Sequence, residues 1–406
     1  MSSTTSAESA GCSGGSMSEN SRVADVVREA ARRVPAFAAR LAEADVNPDV
    51  IRGVDDLAAI PVQTKDDVLA RQRADPPFGA LLAADAAVSR VFQSPGPIYE
   101  PQLSGQDPWR WAPALRACGV SASDVLLNCF AYHLSPAGAM FDEAAQALGC
   151  PVLPGGVGNL DLQAQAISDL GVTAYVGLPS YLRSLIERFE NAGLDPARWR
   201  LRAALVTGEP LPDDLRQALT AWVPTVRMAY GTAETGLLGY ETAPGDGLVV
   251  PDDVVVQICD LDTGQPIDKG EGQIVVTALR AEYPLVRFGT GDLSTWRDVG
   301  GERRLAGVLG RVGAAVKVRG MFLHPRQVEA TMRAVSGVVS YRFLVDRVEH
   351  RDQLRCEVVP EPGADANVVT AAVGDRIRSA LRFTADVTLV DDLPGGELIT
   401  DQRRWD

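Results

Sequence analysis

The feature that most constrains the fold is a regular alternation of short apolar runs and helical patterns between residues 85 and 280. Such alternation is typical of βαβ units built around a mostly parallel sheet. We therefore predict an α/β fold for this part of the chain. The predicted strands are 87–92, 125–130, 151–153, 174–178, 203–207 and 225–230, and the predicted helices lie near 108–118, 137–149, 160–170, 180–192 and 212–221.

The pattern differs on either side of this region and predicts three parts. Residues 1–21 are rich in Ser, Gly and Thr and predict a disordered tail without a signal peptide, in which Met17 is an alternative start. Residues 22–309 predict a large N-terminal domain that opens with one amphipathic helix over 22–44 and closes with a small antiparallel β-subdomain. Residues 310–406 predict a small α+β C-terminal domain, joined through a glycine-punctuated hinge that makes it mobile.

The charge and the cysteines limit the possible partners and the compartment. The net charge is −14, so we expect no nucleic-acid or anionic membrane surface, although a local positive site for ATP remains possible. No apolar run reaches the roughly 18 residues of a membrane span. The six cysteines are scattered without a C-x-x-C pair, which predicts reduced thiols and a cytoplasmic protein.

A first candidate motif follows the predicted strand 225–230. Tyr230-Gly231-Thr232-Ala-Glu234 would lie at the carboxyl edge of the sheet, where α/β proteins bind ligands. There, the Thr232 hydroxyl can contact a phosphate and the Glu234 carboxylate can hold its Mg²⁺. Taken alone, a turn that contains a glutamate is common, so this motif needs companions.

Two further motifs accompany the Tyr230–Glu234 motif. In Arg287-Phe-Gly-Thr-Gly-Asp292, an exposed carboxylate after a tight glycine turn can accept hydrogen bonds from both ribose hydroxyls of a nucleotide. The alternative is an ordinary β-turn aspartate, which has the same sequence pattern. Arg311, in Gly310-Arg-Val-Gly-Ala-Ala-Val-Lys317-Val-Arg-Gly320, offers a second ribose or phosphate contact. The order of the three motifs is more specific than any one of them.

Taken together, the chain resembles the adenylate-forming enzymes over roughly residues 22–406, and most closely their phenylacetate–CoA ligase branch. Ile60-Pro-Val-Gln-Thr-Lys65 is similar to an early segment of that family, and Gly208-Glu209-Pro210 to the part that lines the adenine site. The segments 154–159, with Gly156, and 178–181 resemble parts around the acyl pocket. Tyr132 and His133 follow a predicted strand and would face that pocket, with a satisfied loop histidine as the alternative for His133.

The resemblance implies a two-step reaction and its cosubstrates. ATP and Mg²⁺ would convert a small carboxylic acid into an acyl-adenylate, and CoA would then take the acyl group as a thioester. Lys317 matches a lysine that some members use in the second step, unless it is an ordinary surface lysine. The family also implies a possible homodimer.

The chain departs from the family pattern in several places. The stretch 91–101, which matches the phosphate loop, keeps Ser94 and Gly96, but Pro95 and Pro97 each lack an N–H donor. The hinge position two residues after Arg311 is Gly313. The only lysines are Lys65, Lys269 and Lys317, so the C-terminal segment has Arg403 or Arg404 where the family has a catalytic lysine. The Cys/His cluster that binds zinc in some relatives is missing, and we expect no structural zinc.

These observations lead to one preferred function and two alternatives. The preferred function is an AMP-forming acyl- or aryl-acid–CoA ligase with altered adenylation residues, in which Arg404 replaces the lysine. The alternatives are acyl transfer to an amine or a carrier protein, and a pseudoenzyme that binds a nucleotide or acyl group without turnover.

Overall fold

A computed structural model describes residues 18–94, 96–312, 316–319, 321–323, 325–348 and 351–403. Within these ranges the main helices are α1 (Glu19–Arg33), α2 (Pro35–Glu43), α3 (Lys65–Ala74), α4 (Ala112–Ala117), α5 (Ala137–Ala147), α6 (Leu160–Leu170), α7 (Pro179–Asn191), α8 (Asp213–Thr220), α9 (Pro325–Met332) and α10 (Ala366–Arg376). One turn of π-helix, Ile377–Leu381, extends α10, and short 3₁₀ turns lie at Pro48–Val50, Asp55–Ala59 and Pro196–Arg198.

The strands fall into one large parallel sheet and several smaller sheets. In chain order they are β1 (Val88–Gln93), β2 (Tyr99–Leu103), β3 (Leu126–Asn128), β4 (Val152–Pro154), β5 (Ala174–Gly177), β6 (Ala203–Val206), β7 (Thr225–Thr232), β8 (Gly236–Tyr240), β9 (Val254–Cys259), β10 (Gly272–Ala278), β11 (Phe288–Ser294), β12 (Trp296–Val299), β13 (Glu302–Leu305), β14 (Gly310–Arg311), β15 (Val316–Val318), β16 (Met321–Leu323), β17 (Val338–Val348), β18 (Arg351–Pro360), β19 (Asp386–Leu389) and β20 (Ile399–Asp401).

The central sheet confirms the α/β prediction. Its order is β4-β3-β5-β6-β7-β8, and the first five strands are parallel while β8 returns antiparallel to β7. Strands β5 and β6 are buried along their whole length because helices and loops cover both faces, as expected for a parallel sheet. Apolar clusters lie on the two sides, one around Trp111 and Phe141 and the other around Tyr175 and Phe189.

The predicted strand 87–92 lies outside this sheet, so its assignment to the parallel alternation was wrong. Strand β1 instead pairs antiparallel with β2 in a separate two-stranded hairpin. The connection between these strands, residues 94–98, lies within the stretch 91–101 that we predict to be the phosphate loop. An antiparallel partner two to five residues away closes a hairpin at little entropic cost.

The predicted helix 22–44 is two helices. α1 begins at Glu19 and ends at Arg33, Val34 has an extended backbone (φ −120°, ψ 104°), and α2 begins at Pro35. Proline disfavours the helical conformation of the residue before it, yet it fits the first position of a new helix. Hydrophobic periodicity runs across this break, since Val34 and Phe37 are both buried in the same cluster.

An antiparallel sheet of order β14-β11-β10-β9 forms the β-subdomain. It is tied to the N-terminal part of the chain at Gln63, whose N–H donates to the Arg287 carbonyl and whose carbonyl accepts from the Gly289 N–H, both at 2.8 Å. Directly after Gln63, Thr64 caps α3 through a capping box with Asp67.

The small domain is built on a mixed sheet of order β19-β18-β17-β20 that packs against α9 and α10. A buried ionic network closes it at the end of the chain. Arg403 Nη1 lies 3.0 Å from Asp352 Oδ2, and the two side chains are only 7% and 5% exposed. Arg347 contacts the other oxygen of Asp352 at 3.0 Å.

No helix in the described part of the chain is both long and apolar enough to cross a membrane. Five cysteines fall in this part, at positions 118, 129, 150, 259 and 356, and all are buried and free. Burial raises the pKa of the Cys118 thiol to about 12, so it stays protonated and packs as a small hydrophobic group.

The buried network gives a first prediction. Asp352→Asn should destabilise the small domain by about 3 kcal/mol, because it removes the buried negative charge that Arg347 and Arg403 share, even though Arg403 keeps its contact with Asp401. Hydrogen exchange of the β17 and β18 amides measures this loss. The control is Asp375→Asn, whose partner Arg378 is 63% exposed, and it should change the stability by less than about 1 kcal/mol. Equal protection in the two variants would contradict the prediction.

Candidate functional site

Loops that follow the parallel strands come together at one edge of the central sheet. The strands β3, β4, β6 and β7 all run in the same direction, so the residues after them share the carboxyl edge. This edge brings together Tyr132, His133, Gly156, Gly208, Glu209, Pro210, Tyr230, Gly231, Thr232 and Glu234.

The loop after β3, which we predicted to face the acyl pocket, is polar and open. Tyr132 and His133 are both exposed, and the Tyr132 hydroxyl donates to Asp142 Oδ1 at 2.9 Å. The Gly156 N–H donates to the Asn128 carbonyl at 3.0 Å, which joins the loops after β3 and β4. Gly156 has φ +65° and open space where a Cβ would be, so a side chain there would be strained by its backbone rather than by a clash.

The residues that we predicted to line the adenine site, 208–210, follow β6. Gly208 has φ +85°, and the next residue, Glu209, is half-buried and accepts a hydrogen bond from the Ser180 hydroxyl at 2.5 Å. Ser180 lies in the first turn of α7. This contact orients the Glu209 side chain toward the loop that follows β5.

Three of the predicted nucleotide-binding residues are in direct contact. The Tyr230 hydroxyl donates to Asp292 Oδ2 at 2.7 Å, and Arg311 Nε lies 2.8 Å from Asp292 Oδ1. They come from β7, β11 and β14, so one carboxylate joins the parallel sheet, the β-subdomain and the strand that precedes the small domain.

Asp292 differs from its prediction in one respect. We expected an exposed carboxylate after a glycine turn, but Asp292 is only 3% exposed and lies within a strand. The register of β10 and β11 shifts around this point, and Gly291 has φ +80°. A bulge of this kind redirects side chains, which explains why a glycine-rich strand resembles a turn in the sequence.

Burial also sets the protonation of Tyr230. Loss of solvent raises the pKa of the Tyr230 phenol well above its usual value, and the negative charge of Asp292 raises it further. The phenol is therefore protonated at neutral pH and acts as a hydrogen-bond donor.

Glu234 has a partner that the sequence-based site did not include. Lys65 Nζ lies 2.8 Å from Glu234 Oε1, and the Glu234 side chain is 5% exposed. Burial alone would raise the pKa of Glu234, but the charge and hydrogen bond of Lys65 outweigh it and lower the pKa. The second oxygen, Oε2, is buried and has no hydrogen-bond partner among the described residues. A buried, ionised carboxylate with one uncommitted oxygen suits a hard divalent cation such as Mg²⁺.

A second carboxyl group, Glu100, lies behind this pair. It is 2% exposed, on β2 just beyond the candidate phosphate loop. Burial raises the pKa of Glu100 well above its usual value and the charge of Glu234 adds to this effect, while Lys65 and Tyr283 act in the opposite direction. Glu100 is therefore neutral where Glu234 is charged.

The other phosphate-site candidates already have partners within the protein. The Thr232 hydroxyl lies 2.9 Å from the Thr235 hydroxyl and accepts from the Thr235 N–H. Ser94 is buried, and its hydroxyl donates to the Ile98 carbonyl, so it closes its own turn, which also contains Gly96. At Gly231, a Cβ would come within 2.4 Å of the Gly236 carbonyl oxygen, so only glycine fits there.

Arg110 is another residue that sequence reasoning missed. It is buried, has φ +63°, and donates to the Thr235 carbonyl, directly after Glu234. No local pattern marks Arg110, because its partner is remote in the sequence. For Lys65 a signal was available, since the Thr64-Lys65 segment was recognised without a role for its lysine.

Two further predicted residues are Lys317 and Arg404. The backbone of Lys317 lies in β15 of the small domain, opposite Phe322 of β16. Arg404 lies outside the described residues. In the part of the chain that the structure describes, no group of three or more His, Cys, Asp or Glu side chains is arranged to hold a metal ion.

Comparisons with known proteins agree with this geometry. The family of AMP-binding enzymes matches residues 119–278. A phenylacetate–coenzyme A ligase of Thermus thermophilus is 30% identical, over 93% of this chain and 92% of that protein. The crystal structure of 2-hydroxyisobutyryl-CoA ligase with 2-HIB-AMP and CoA, in its thioesterification state, has a TM-score of 0.86 at 22% identity, covering 95% of this chain and 89% of its own. The same ligase in its postadenylation state with 2-HIB-AMP has a TM-score of 0.67 at 22% identity, covering 94% and 88%.

The fold and the similarity define an AMP-binding, adenylate-forming enzyme. With 30% identity over nearly its whole length, the chain belongs to the phenylacetate–CoA ligase family. It is an ATP-dependent ligase of the acid–CoA type, and its cosubstrates are ATP and CoA.

The protonation of Glu100 gives a second prediction. A carboxyl group whose pKa is raised by folding stabilises the fold fully below its unfolded pKa, near 4.5, and this contribution is lost as the pH rises toward the folded pKa. Glu100→Gln mimics the protonated form, so the melting temperature of the variant minus that of the parent should grow by at least about 2 °C between pH 5 and pH 8. Thermal unfolding at several pH values measures the difference. The exposed Glu271→Gln is the control and should give a constant difference, and a constant difference for Glu100→Gln would refute its assignment as neutral.

Proposed function

We propose that the carboxyl edge of the central sheet carries out both half-reactions of an AMP-forming acid–CoA ligase. In the first, a carboxylate oxygen of the acid attacks the α-phosphorus of ATP, and the bond to pyrophosphate breaks with its electron pair leaving on pyrophosphate. In the second, the CoA sulfur attacks the acyl carbonyl carbon and AMP leaves, while the thiol proton passes to solvent. The contact among Tyr230, Asp292 and Arg311, beside the Glu234 loop, is the observation that carries this proposal.

The nucleoside would bind against Asp292. A carboxylate has about four acceptor positions, and the Tyr230 hydroxyl occupies one on Oδ2. Oδ1 pairs with Arg311 but accepts no hydrogen bond from the described residues, so positions remain for the ribose hydroxyls. Arg311 adds a positive charge beside the ribose and phosphate. Gly208, Glu209 and Pro210, after the neighbouring strand β6, would border the adenine.

The triphosphate would bind between the Glu234 loop and the β1–β2 hairpin. Glu234 would hold Mg²⁺ through its uncommitted oxygen, and the metal would neutralise phosphate charge when bound. Thr232 and Ser94 would donate their hydroxyls to phosphate oxygens after rotating away from Thr235 and Ile98, and Gly96 would allow close approach of the backbone. The Gln93 N–H donates to the Leu134 carbonyl at 2.8 Å, which holds this hairpin beside the acid loop.

The acid would bind at the loops after β3 and β4. Tyr132, His133 and Gly156 lie there, and the exposed faces of the two side chains suit a small acid, with arylacetic acids as the first candidates on the strength of the phenylacetate–CoA ligase relative. Lys317 would act in thioester formation and Arg404 near the α-phosphate. Neither the small domain nor the hinge needs a second copy of the chain for this chemistry, and a homodimer stays a prediction.

The proposed function is tested by pyrophosphate release from Mg·ATP with a panel of aryl and short-chain acids, with and without CoA. We expect release that depends on the acid, and acyl-CoA as the product when CoA is present. If no acid gave release while ATP or AMP still bound, the ligase function would be excluded in favour of nucleotide binding without turnover. Release without a thioester product would point to an amine or a carrier protein as the acceptor.

The role of Asp292 gives a third prediction. Asp292→Asn should raise the Kd of AMP about 10–100-fold, since hydrogen bonds to a charged acceptor contribute about 1.5–3 kcal/mol. Isothermal titration calorimetry measures the change. Asp268→Asn, in a surface ion pair of the same subdomain, is the matched control and should leave the Kd unchanged. An unchanged Kd for both variants would remove Asp292 from the nucleotide site.

A further inference from the structure

The position of Lys65 has a chemical consequence beyond its ion pair. It is the first residue of α3, is 28% exposed in its side chain, and reaches Glu234 from the large domain. Of the other two lysines, Lys269 is exposed in a turn between β9 and β10, and Lys317 belongs to the small domain. Residues 318–406 contain no lysine.

The backbone that carries Lys65 is fixed from two sides. Gln63 bonds through both its N–H and its carbonyl to β11, the strand that carries Asp292. On the other side, the Gln72 side chain of α3 donates to the Tyr99 carbonyl and accepts from the Tyr99 N–H, both at 2.8 Å. Tyr99 begins β2, directly after the hairpin loop proposed for phosphate. Lys65 is therefore held between the proposed ribose and phosphate sites.

The Lys65 ammonium has N–H donors that can bind a ligand at this site. It has three donors, and the contact with Glu234 Oε1 uses one of them. Glu234 can keep this contact and still bind a second cation, because Oε2 has no hydrogen-bond partner among the described residues.

We propose that Lys65 is a catalytic residue of the adenylation half-reaction, where its ammonium binds the oxygen atoms that gain charge as the acid carboxylate attacks the α-phosphorus. This inference rests on the proposed function and specifies the residue that stabilises its first step. Lys65 acts as a positive charge fixed beside the buried Glu234, where such electrostatic stabilisation is stronger than in water.

A purely structural Lys65 would behave differently. If it served only to neutralise the buried Glu234, its loss would weaken the fold and the binding of Mg·ATP, because Glu234 is the proposed Mg²⁺ ligand. Arginine, which can also pair with a carboxylate, would then replace it fully. A catalytic ammonium is a compact charge that a planar guanidinium does not reproduce, so arginine would restore only part of the rate.

The experiment separates the two half-reactions in the full chain. Acid-dependent exchange of radiolabelled pyrophosphate into ATP reports adenylation, and acyl-CoA formed from synthetic acyl-adenylate and CoA reports the second step. For Lys65→Gln we expect the exchange rate to fall about 10²–10³-fold, whereas thioester formation changes less than about threefold. Lys65→Arg should recover part of the exchange. Lys269→Gln, the matched surface lysine, should retain both activities.

Binding and stability measurements complete the test. ATP titration and thermal unfolding of Lys65→Gln should show a folded protein that still binds ATP. An exchange rate equal to that of the parent, equal losses in both steps, or full recovery with Lys65→Arg would each overturn the role of Lys65 while leaving the ligase function intact. If the parent itself showed no acid-dependent exchange, the proposed function would fail, and the role of Lys65 with it.

Discussion

The Asp292 carboxylate is the interaction on which the arrangement of this molecule depends. It accepts a hydrogen bond from Tyr230 of the parallel sheet and pairs with Arg311 of β14, while its own backbone belongs to the β-subdomain. A single buried charge thereby links three parts of the chain that the sequence separates widely. Because an unpaired charge in such a place costs several kcal/mol, the three parts are held in one register by a requirement for pairing rather than by apolar packing alone.

A second electrostatic feature is that the pKa values of two neighbouring carboxyl groups are shifted in opposite directions. Glu100 and Glu234 are both buried, yet burial keeps one neutral and Lys65 keeps the other ionised. If both neighbouring carboxylates were ionised, they would repel each other and compete for the single ammonium of Lys65. The arrangement concentrates negative charge at Glu234, the one position where a cation is useful, and leaves Glu100 as an uncharged support behind it.

Local sequence patterns predicted most elements because their cause is local. Helix α6 has the predicted bounds, and strand β6 agrees with its prediction to within one residue, since helical spacing and an apolar run determine them. The helix break before Pro35 was not predicted because hydrophobic periodicity continues across it. Strand β2 was missed because its sequence, with Pro101 inside it, has no strand pattern and depends on pairing with β1.

The sequence predicted which residues belong to the candidate site but not which of them contact each other. The three motifs identified Tyr230, Glu234, Asp292 and Arg311, yet burial of Asp292 arises from a bulge that resembles a turn in sequence. The Lys65 contact joins residues far apart in the chain, and no pattern in a single sequence reports such a pair. Long-range pairing of charges is therefore the part of the site that only a structure supplies.

The polar groups proposed to bind ATP are already hydrogen-bonded to the protein itself. Ser94 closes its own turn, Thr232 contacts Thr235, Tyr230 and Arg311 hold Asp292, and Lys65 holds Glu234. Ligand binding at Ser94 and Thr232 is thus an exchange of partners, whereas Asp292, Glu234 and Lys65 can keep their contacts and add new ones. A small free anion, which satisfies one or two donors at most, gains little from that exchange. A ligand that engages many groups at once gains far more, so the site discriminates by the number of simultaneous contacts rather than by the strength of any one.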